Sequence, residues 1–283
     1  MPSRAIVATS TGGLDELQIP HRIRILRLQL RIQGRRLLDG LEVKGSAFHD
    51  WMLRTPGQVA ETAPPSQIEI ANFFRDLIRE GYEEVLVLTL SSRLSRTYEQ
   101  LDLLRNAYAH KLKIHLFDTG MAAHAEALMA LEADRLLEQG ASMADIVAHL
   151  TDLRARTMTF LTVGKLDYLM RTGRVSAASG MLANFMRIRP VLHITEGEIR
   201  PYAKIRTTDR ALEGMLDGVH EFAQGKPVDI HVMQGGVEST NASLGRLLLD
   251  RHQMFGHPTY AVTPVIAAHT GPDCAGVVVV RRA

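Results

Sequence analysis

The chain has 283 residues, enough for one large or two ordinary domains, and its 46% hydrophobic and 23% charged content is that of a soluble globular protein. A net charge of +2 is too weak to argue for nucleic-acid binding, and a single cysteine, Cys274, rules out an intrachain disulfide. Nothing approaches the eighteen or so uninterrupted apolar residues of a membrane-spanning helix, and the apolar run at residues 5–8 is too short for a signal-peptide core, so a cytoplasmic location is expected.

Residues 5–8 read as a short buried strand. Residues 23–32 alternate apolar residues with Arg and Gln, the period of a half-exposed strand. Ile25 next to Leu26 breaks that alternation and predicts a bulge. Arg22, Arg24, Arg27, Arg31, Arg35 and Arg36 cluster here. Such a cluster reads as a solvated strand face, with a phosphate- or membrane-facing patch as the alternative. Ser46 is placed to cap a short helix through Trp51 and Leu53. A proline-rich linker, residues 61–66, leads to Ser66 and Glu69, which form the S-x-x-E capping box. Behind it Ile70, Phe73, Phe74, Leu77 and Ile78 define one face of a helix that Gly81 ends.

Residues 85–90 are a continuous apolar run, typical of a central parallel strand. The polar turn 91–97 opens a helix carrying Tyr98, Leu101, Leu104 and Tyr108. Residues 114–117 are the next strand, closed by Asp118, Thr119 and Gly120. A long helix then runs to about Glu138, and Ser142 caps another. Strand and helix alternating in this way mean a parallel sheet with helices on both faces. After residue 160 the rhythm changes. Residues 159–163 are a strand, and 191–194 and 198–202 form a hairpin around Thr195, Glu196 and Gly197. A helix around Leu212–Phe222 (residues 212–222), a strand at 228–233, a helix through 244–248 and strands at 260–264 and 277–280 complete the pattern. The expected architecture is an α/β domain over residues 1–160 followed by a smaller α+β domain over 161–283.

In open parallel sheets ligands bind beyond the carboxyl ends of the strands. Residues 9–13, 91–97 and 118–120 lie there, and 62–66 are able to fold over the same edge. Residues 91–97 offer four hydroxyls at the start of a helix, where free N–H groups favour an anion; ordinary N-capping by one serine is the alternative. Residues 268–276 read as a tight Gly/Pro loop with His269 at its head, and 169–176 as a basic loop. No G-x-S-x-G, Walker, G-x-G-x-x-G or H-E-x-x-H pattern is present, which tilts the reading toward a non-catalytic binding protein without a metal.

These segments together resemble the DegV family, which includes the fatty-acid-binding subunits of bacterial fatty acid kinase. Residues 88–98 are similar to the family's strand followed by S-S-K-L-S-G-T-Y. Thr172, Gly173, Arg174, Val175 and Ser176 resemble its G-G-R-[IV]-S, Lys204 to Arg206 its K-x-R, His269 to Gly276 its H-x-G-P-G-x-x-G, and Asp39 with Gly40 its early Asp-Gly pair. Residues 9–13 lack both aspartates of the family's D-S-T-A-D. Residues 62–66 lack the first serine and the glutamine of T-S-Q-P-S. Arg96 and Asp273 stand where the family has glycine. The resemblance implies a long-chain fatty acid lying between the two domains, as ligand rather than cofactor. It implies that Thr62, Ser92, Ser95 and His269 hold the carboxylate, with Arg96, Arg174 and Arg206 near the head group or facing a kinase partner. Transient membrane contact follows for a lipid carrier. Leu166, Leu169, Met170, Met181, Leu182, Phe185 and Met186 are candidates to line an adaptable tunnel. Two other readings stand beside it: an enzyme with Ser92 or Ser95 as nucleophile and His269 as base, and a family member with a different ligand.

Overall fold

The structure is a computed structural model and describes residues 3–17, 19–175, 188–252 and 259–282. From the amino terminus, β1 (Arg4–Thr9) is joined by β2 (Arg24–Leu26) as a parallel neighbour. Then β3 (Gln29–Ile32) and β4 (Arg35–Leu38) form an antiparallel hairpin. Its turn residues Gln33 and Gly34 have φ of 49° and 79°, the left-handed pair of a two-residue hairpin. After α1 (Gly45–Arg54), β5 (Ala60–Ala63) pairs with the other edge of β3. There follow α2 (Gln67–Arg79), β6 (Glu84–Thr89), α3 (Thr97–Tyr108), β7 (Lys113–Asp118), α4 (His124–Glu138) and α5 (Met143–Ala155). The second half runs β8 (Thr157–Val163), α6 (Asp167–Arg171), β9 (Arg189–Thr195), β10 (Glu198–Ile205), α7 (Thr208–Ala223) and β11 (Val228–Gln234). It ends with α8 (Glu238–His252), β12 (Thr259–Ala261), α9 (Pro264–Thr270) and β13 (Cys274–Arg281).

The strands make three sheets: a parallel one ordered β2-β1-β6-β7, a small antiparallel one ordered β4-β3-β5, and a mixed one ordered β10-β9-β8-β13-β11-β12. The fold is therefore the expected parallel-sheet α/β unit with a second sheet unit behind it. Alternation along β1 and β6 explains the layering. Ala5, Val7, Val85 and Val87 pack with Ile70, Phe74 and Leu101 of α2 and α3. Ile6, Ala8, Leu86 and Leu88 point the other way, into a core shared with α4 and with Leu161, Leu192, Ile194 and Met233 of the mixed sheet. That face of the parallel sheet thus abuts the second sheet across continuous apolar packing.

Several sequence expectations give way to the structure. Residues 23–32 are not one bulged strand. The chain changes sheet at Arg27, whose guanidinium grips Asp15 at 2.8 Å on both nitrogens and the Asp39 carbonyl at 2.9 Å. The linker before Ser66 contains β5, which stops where Pro64 and Pro65 have no N–H to continue a ladder. The short helix α1 starts at Gly45 with Lys44, not Ser46, at its cap. The expected strand at 260–264 shrinks to β12, and the expected loop at 268–276 opens as helix: α9 begins at Pro264, runs through Thr270 and is followed by Gly271, whose φ is 81°. Proline at the first helical position is a start signal, since its missing N–H has no helical partner there anyway. The arginines form no single patch. Arg22, Arg24, Arg31 and Arg36 pair with Glu138, Glu80, Glu61 and Glu69 on different elements.

Candidate ligand cavity

A cavity of about 160 Å³ lies where the β6–α3 loop, the mixed sheet and α9 meet. Its walls are mostly aliphatic: Leu90 and Leu94 from the loop, Leu161, Ile194 and Met233 from strands, and Val265 from α9. Polar side chains in its lining include Thr62, Ser95, Arg96, Arg174 and His269.

Each member of that group is positioned by its element. Thr62 sits on β5 opposite Leu30, and its hydroxyl meets His269 Nε2 at 2.8 Å. His269 stands in the last turn of α9 with Nδ1 buried and without a hydrogen-bond partner. Burial, then the nearby Arg174 and Arg171 charges, push its pKa down to about 3, so the ring is neutral at ordinary pH. Arg174 is half-buried and donates to the carbonyls of Leu94 (3.3 Å) and Thr172. No carboxylate faces it among the described residues, and burial lowers its pKa. Ser95 Oγ lies 2.9 Å from Thr97 Oγ1 and accepts from the Thr97 N–H, the first of α3, at 3.3 Å while lining the cavity. Arg96 is exposed at the mouth and pairs with Glu99 at 3.0 Å.

Two expected site residues are not brought into this group. Ser92 is exposed and lines a separate polar cleft with Asp118, Arg154 and the β9–β10 turn. The Asp118 carboxylate takes the Ser92 N–H at 3.2–3.3 Å, while Ser91 turns inward and donates to the Gly197 carbonyl at 2.7 Å. Arg206 is exposed just past β10 and is not among the cavity-lining residues. Of the tunnel candidates, Leu169 lines the cavity, and Leu166 and Met170 pack in the adjoining core. Met181, Leu182, Phe185, Met186 and the motif's Ser176 lie outside the described residues. A serine–histidine dyad is not formed, because His269 Nε2 is held by Thr62 and Ser95 by Thr97.

The structure adds residues that sequence reading did not single out. Thr159, Thr270 and Cys274 line the cavity, and burial pushes the Cys274 thiol up to about 11, which leaves it a protonated apolar wall. Glu126 of α4, fully buried, accepts from the Thr9 N–H at 2.9 Å, from the Thr9 hydroxyl, and from Thr11 Oγ1 at 2.5 Å. Its signal in the sequence was a lone carboxylate on the same helical face as Met129, Ala130 and Ala133.

A model of uncharacterised proteins of the DegV family matches residues 3–282. The chain belongs to the DegV family. Among DegV relatives, a fatty acid-binding protein of Thermotoga maritima is 31% identical over 228 residues, 79% of this chain and 78% of that protein. A DegV family protein of Thermus thermophilus, whose solved structure is described as showing fatty acid binding, superposes with a TM-score of 0.87 at 25% identity, covering 99% of this chain and all of that one. A DegV lipid binding protein of Thermotoga maritima superposes at 0.83 with 26% identity, covering 99% and 100%.

The departures from the DegV pattern acquire local explanations. Where the family has an aspartate, Thr9 is served by Glu126 arriving from α4. Where it has glycine, Asp273 forms a two-pronged ion pair with Arg189 at 2.5 and 2.8 Å and accepts from Thr240 at 2.8 Å. Asp273 thus ties β9, α8 and the start of β13 together and is not among the cavity-lining residues.

Proposed function

We propose that this DegV chain is a non-catalytic carrier that binds a long-chain fatty acid, with its acyl chain against the aliphatic walls and its carboxylate among Thr62, Ser95, His269 and Arg174. The observation that carries this reading is Arg174: a partly desolvated guanidinium with no counter-carboxylate among the described residues, in the lining of a mostly apolar cavity that also carries a neutral histidine and the Thr62 and Ser95 hydroxyls. A guanidinium in that state is stabilised by an incoming anion, and a neutral imidazole is free to donate to it. The DegV relatives described as fatty-acid- or lipid-binding support the same ligand class.

Magnitudes divide the work. Each buried CH₂ contributes about 0.8 kcal/mol, so about a dozen give roughly 10 kcal/mol before ordering costs. One hydrogen bond to a charged oxygen contributes about 1.5–3 kcal/mol. The apolar walls therefore set affinity and the polar group sets orientation. A ligand held with its carboxylate at the mouth is oriented for transfer to a partner such as a fatty acid kinase. We assign exposed Arg96, Ser92 and Arg206 to that partner or to brief membrane contact rather than to the ligand. Extraction of the denatured protein with organic solvent, followed by mass spectrometry, tests the ligand. A near-stoichiometric fatty acid is expected; none, even after incubation with a panel of chain lengths, would overturn this reading in favour of a different ligand.

A further inference from the structure

Helix α9 carries Val265, Ile266 and His269 into the cavity wall, yet it has only seven residues and a weak start. Its N-cap, Thr263, makes no side-chain cap bond, and Pro264 has no N–H to offer. The first free N–H is that of Val265. It donates to Asp39 Oδ1 at 3.1 Å, across 226 residues of sequence. Asp39 is fully buried in the turn after β4 and is itself fixed through its backbone: its N–H reaches the Leu28 carbonyl at 3.1 Å and its carbonyl accepts from Arg27 at 2.9 Å. Gly40 beside it has φ of 73°, and a Cβ there would meet Asp15 Oδ2 at 2.7 Å, so the Asp-Gly order is a geometric requirement.

We propose that Asp39 is a positioning residue for the ligand site: by holding the Val265 N–H it fixes the first turn of α9 and thereby the placement of His269 against Thr62. The significance of that placement for binding rests on the fatty-acid reading; the positioning itself does not. Among the described residues Asp39 Oδ2 has no hydrogen-bond partner, and the Ser10 hydroxyl is the further polar neighbour of the carboxyl, so its bond to α9 runs through one oxygen. The charged and titratable groups around it are Arg27 and Asp15 on its own side and Glu126 from α4, while Arg171 and Arg174 face His269. Burial raises the Asp39 pKa to about 7, well apart from that of His269 at about 3. Ionisation of Asp39 is therefore readable at a ring that does not itself titrate in that range.

The test is long-range ¹⁵N–¹H NMR of the imidazoles in the ligand-free full chain, with His269→Gln to assign the signals, together with palmitate affinity by displacement of a fluorescent acyl probe. The His269 signals of the parent should shift with a midpoint near pH 7, and Asp39→Asn should abolish that inflection. Asp39→Asn, which keeps an acceptor for Val265, should hold palmitate within about twofold of the parent at pH 6. Asp39→Ala should weaken it about fivefold or more, and combining it with His269→Ala should give no further loss beyond His269→Ala alone, the non-additivity of residues acting as a unit. Flat His269 signals through pH 7, an inflection that survives in Asp39→Asn (which would assign it to Glu126), or additive losses would each overturn the proposal. Should Asp39→Ala not fold, the comparison of the parent with Asp39→Asn decides. Should the parent bind no palmitate, the fatty-acid reading fails while the NMR arm still decides this one.

Discussion

Arg174 is the side chain on which the proposed ligand class turns. Among the described residues, this half-buried guanidinium is bonded only to the carbonyls of Leu94 and Thr172, and no carboxylate answers its charge. An ion pair formed there is desolvated on both sides, and so is worth more than the ~0–1 kcal/mol of a surface pair. Arg96 is the internal contrast: it lines the same mouth but is exposed and already paired with Glu99. Arg174→Ala is therefore expected to weaken a fatty acid about tenfold or more while leaving the alcohol of the same chain length nearly unchanged, read by competition binding. Arg96→Ala should change either ligand by less than about threefold. Equal losses for acid and alcohol in Arg174→Ala would mean that the residue packs against the chain and does not hold the head group. Thr62, Ser95, His269 and Arg174 were all legible in the sequence as motif residues. The placement of Ser92 in a separate cleft was not, because its N–H is held by the Asp118 carboxylate from the neighbouring strand, an interaction with no local signature.

At the scale of elements, what could be read was what is locally encoded. The capping box of α2 forms as expected, with the Glu69 carboxylate accepting from the Ser66 N–H at 2.8 Å and Ser66 Oγ accepting in return at 3.3 Å. The β9–β10 hairpin closes on Glu196 and Gly197 at φ of 52° and 79°. What could not be read depends on tertiary partners. The change of sheet at Arg27 is set by Asp15 and Asp39, and α9 starts within an apolar run with no clear period and is capped from across the molecule. Packing against a partner element also decides the sign of a glycine substitution. On α7, a Cβ at Gly218 would lie 2.6 Å from the Phe160 ring, which His193 and Tyr202 flank. On α8, a Cβ at Gly245 would meet nothing within 4 Å. Alanine is favoured over glycine in a helix by about 1 kcal/mol, while overpacking a core costs about 1–3 kcal/mol. Gly245→Ala should therefore raise the unfolding midpoint in denaturant and Gly218→Ala should lower it. The same direction for both would show that helix propensity alone governs these positions.

Across the whole molecule, buried titratable groups couple stability to pH from two sides. Burial raises Glu126 from 4.5 and Asp39 from 3.8 to about 7 each, and each charge further disfavours the other or is disfavoured by a neighbouring carboxylate. Between the unfolded and folded values the folded chain holds protons that the unfolded chain has released, so this part of the stability is present below pH 4 and lost as pH rises through about 7. His269 and His124 act in the opposite sense. Burial lowers both from 6.5 to about 3, so the unfolded chain takes up protons first and stability falls as pH drops below 6.5. The histidine contribution has levelled off above pH 6.5, which leaves the carboxyls to dominate the approach to neutral and mildly alkaline solution. Glu126→Gln isolates that contribution. The amide keeps a carbonyl acceptor for Thr9 and presents an N–H₂ group to the Thr11 hydroxyl, which accepts as readily as it donates. The variant has no charge to bury. It should be stabilised relative to the parent at pH 8 by more than at pH 5.5, measured as the difference in unfolding free energy from denaturant titrations at the two pH values. A gap between variant and parent that is the same at both would mean that Glu126 keeps one protonation state throughout, and that the polar cluster at the end of β1 contributes through hydrogen bonds alone.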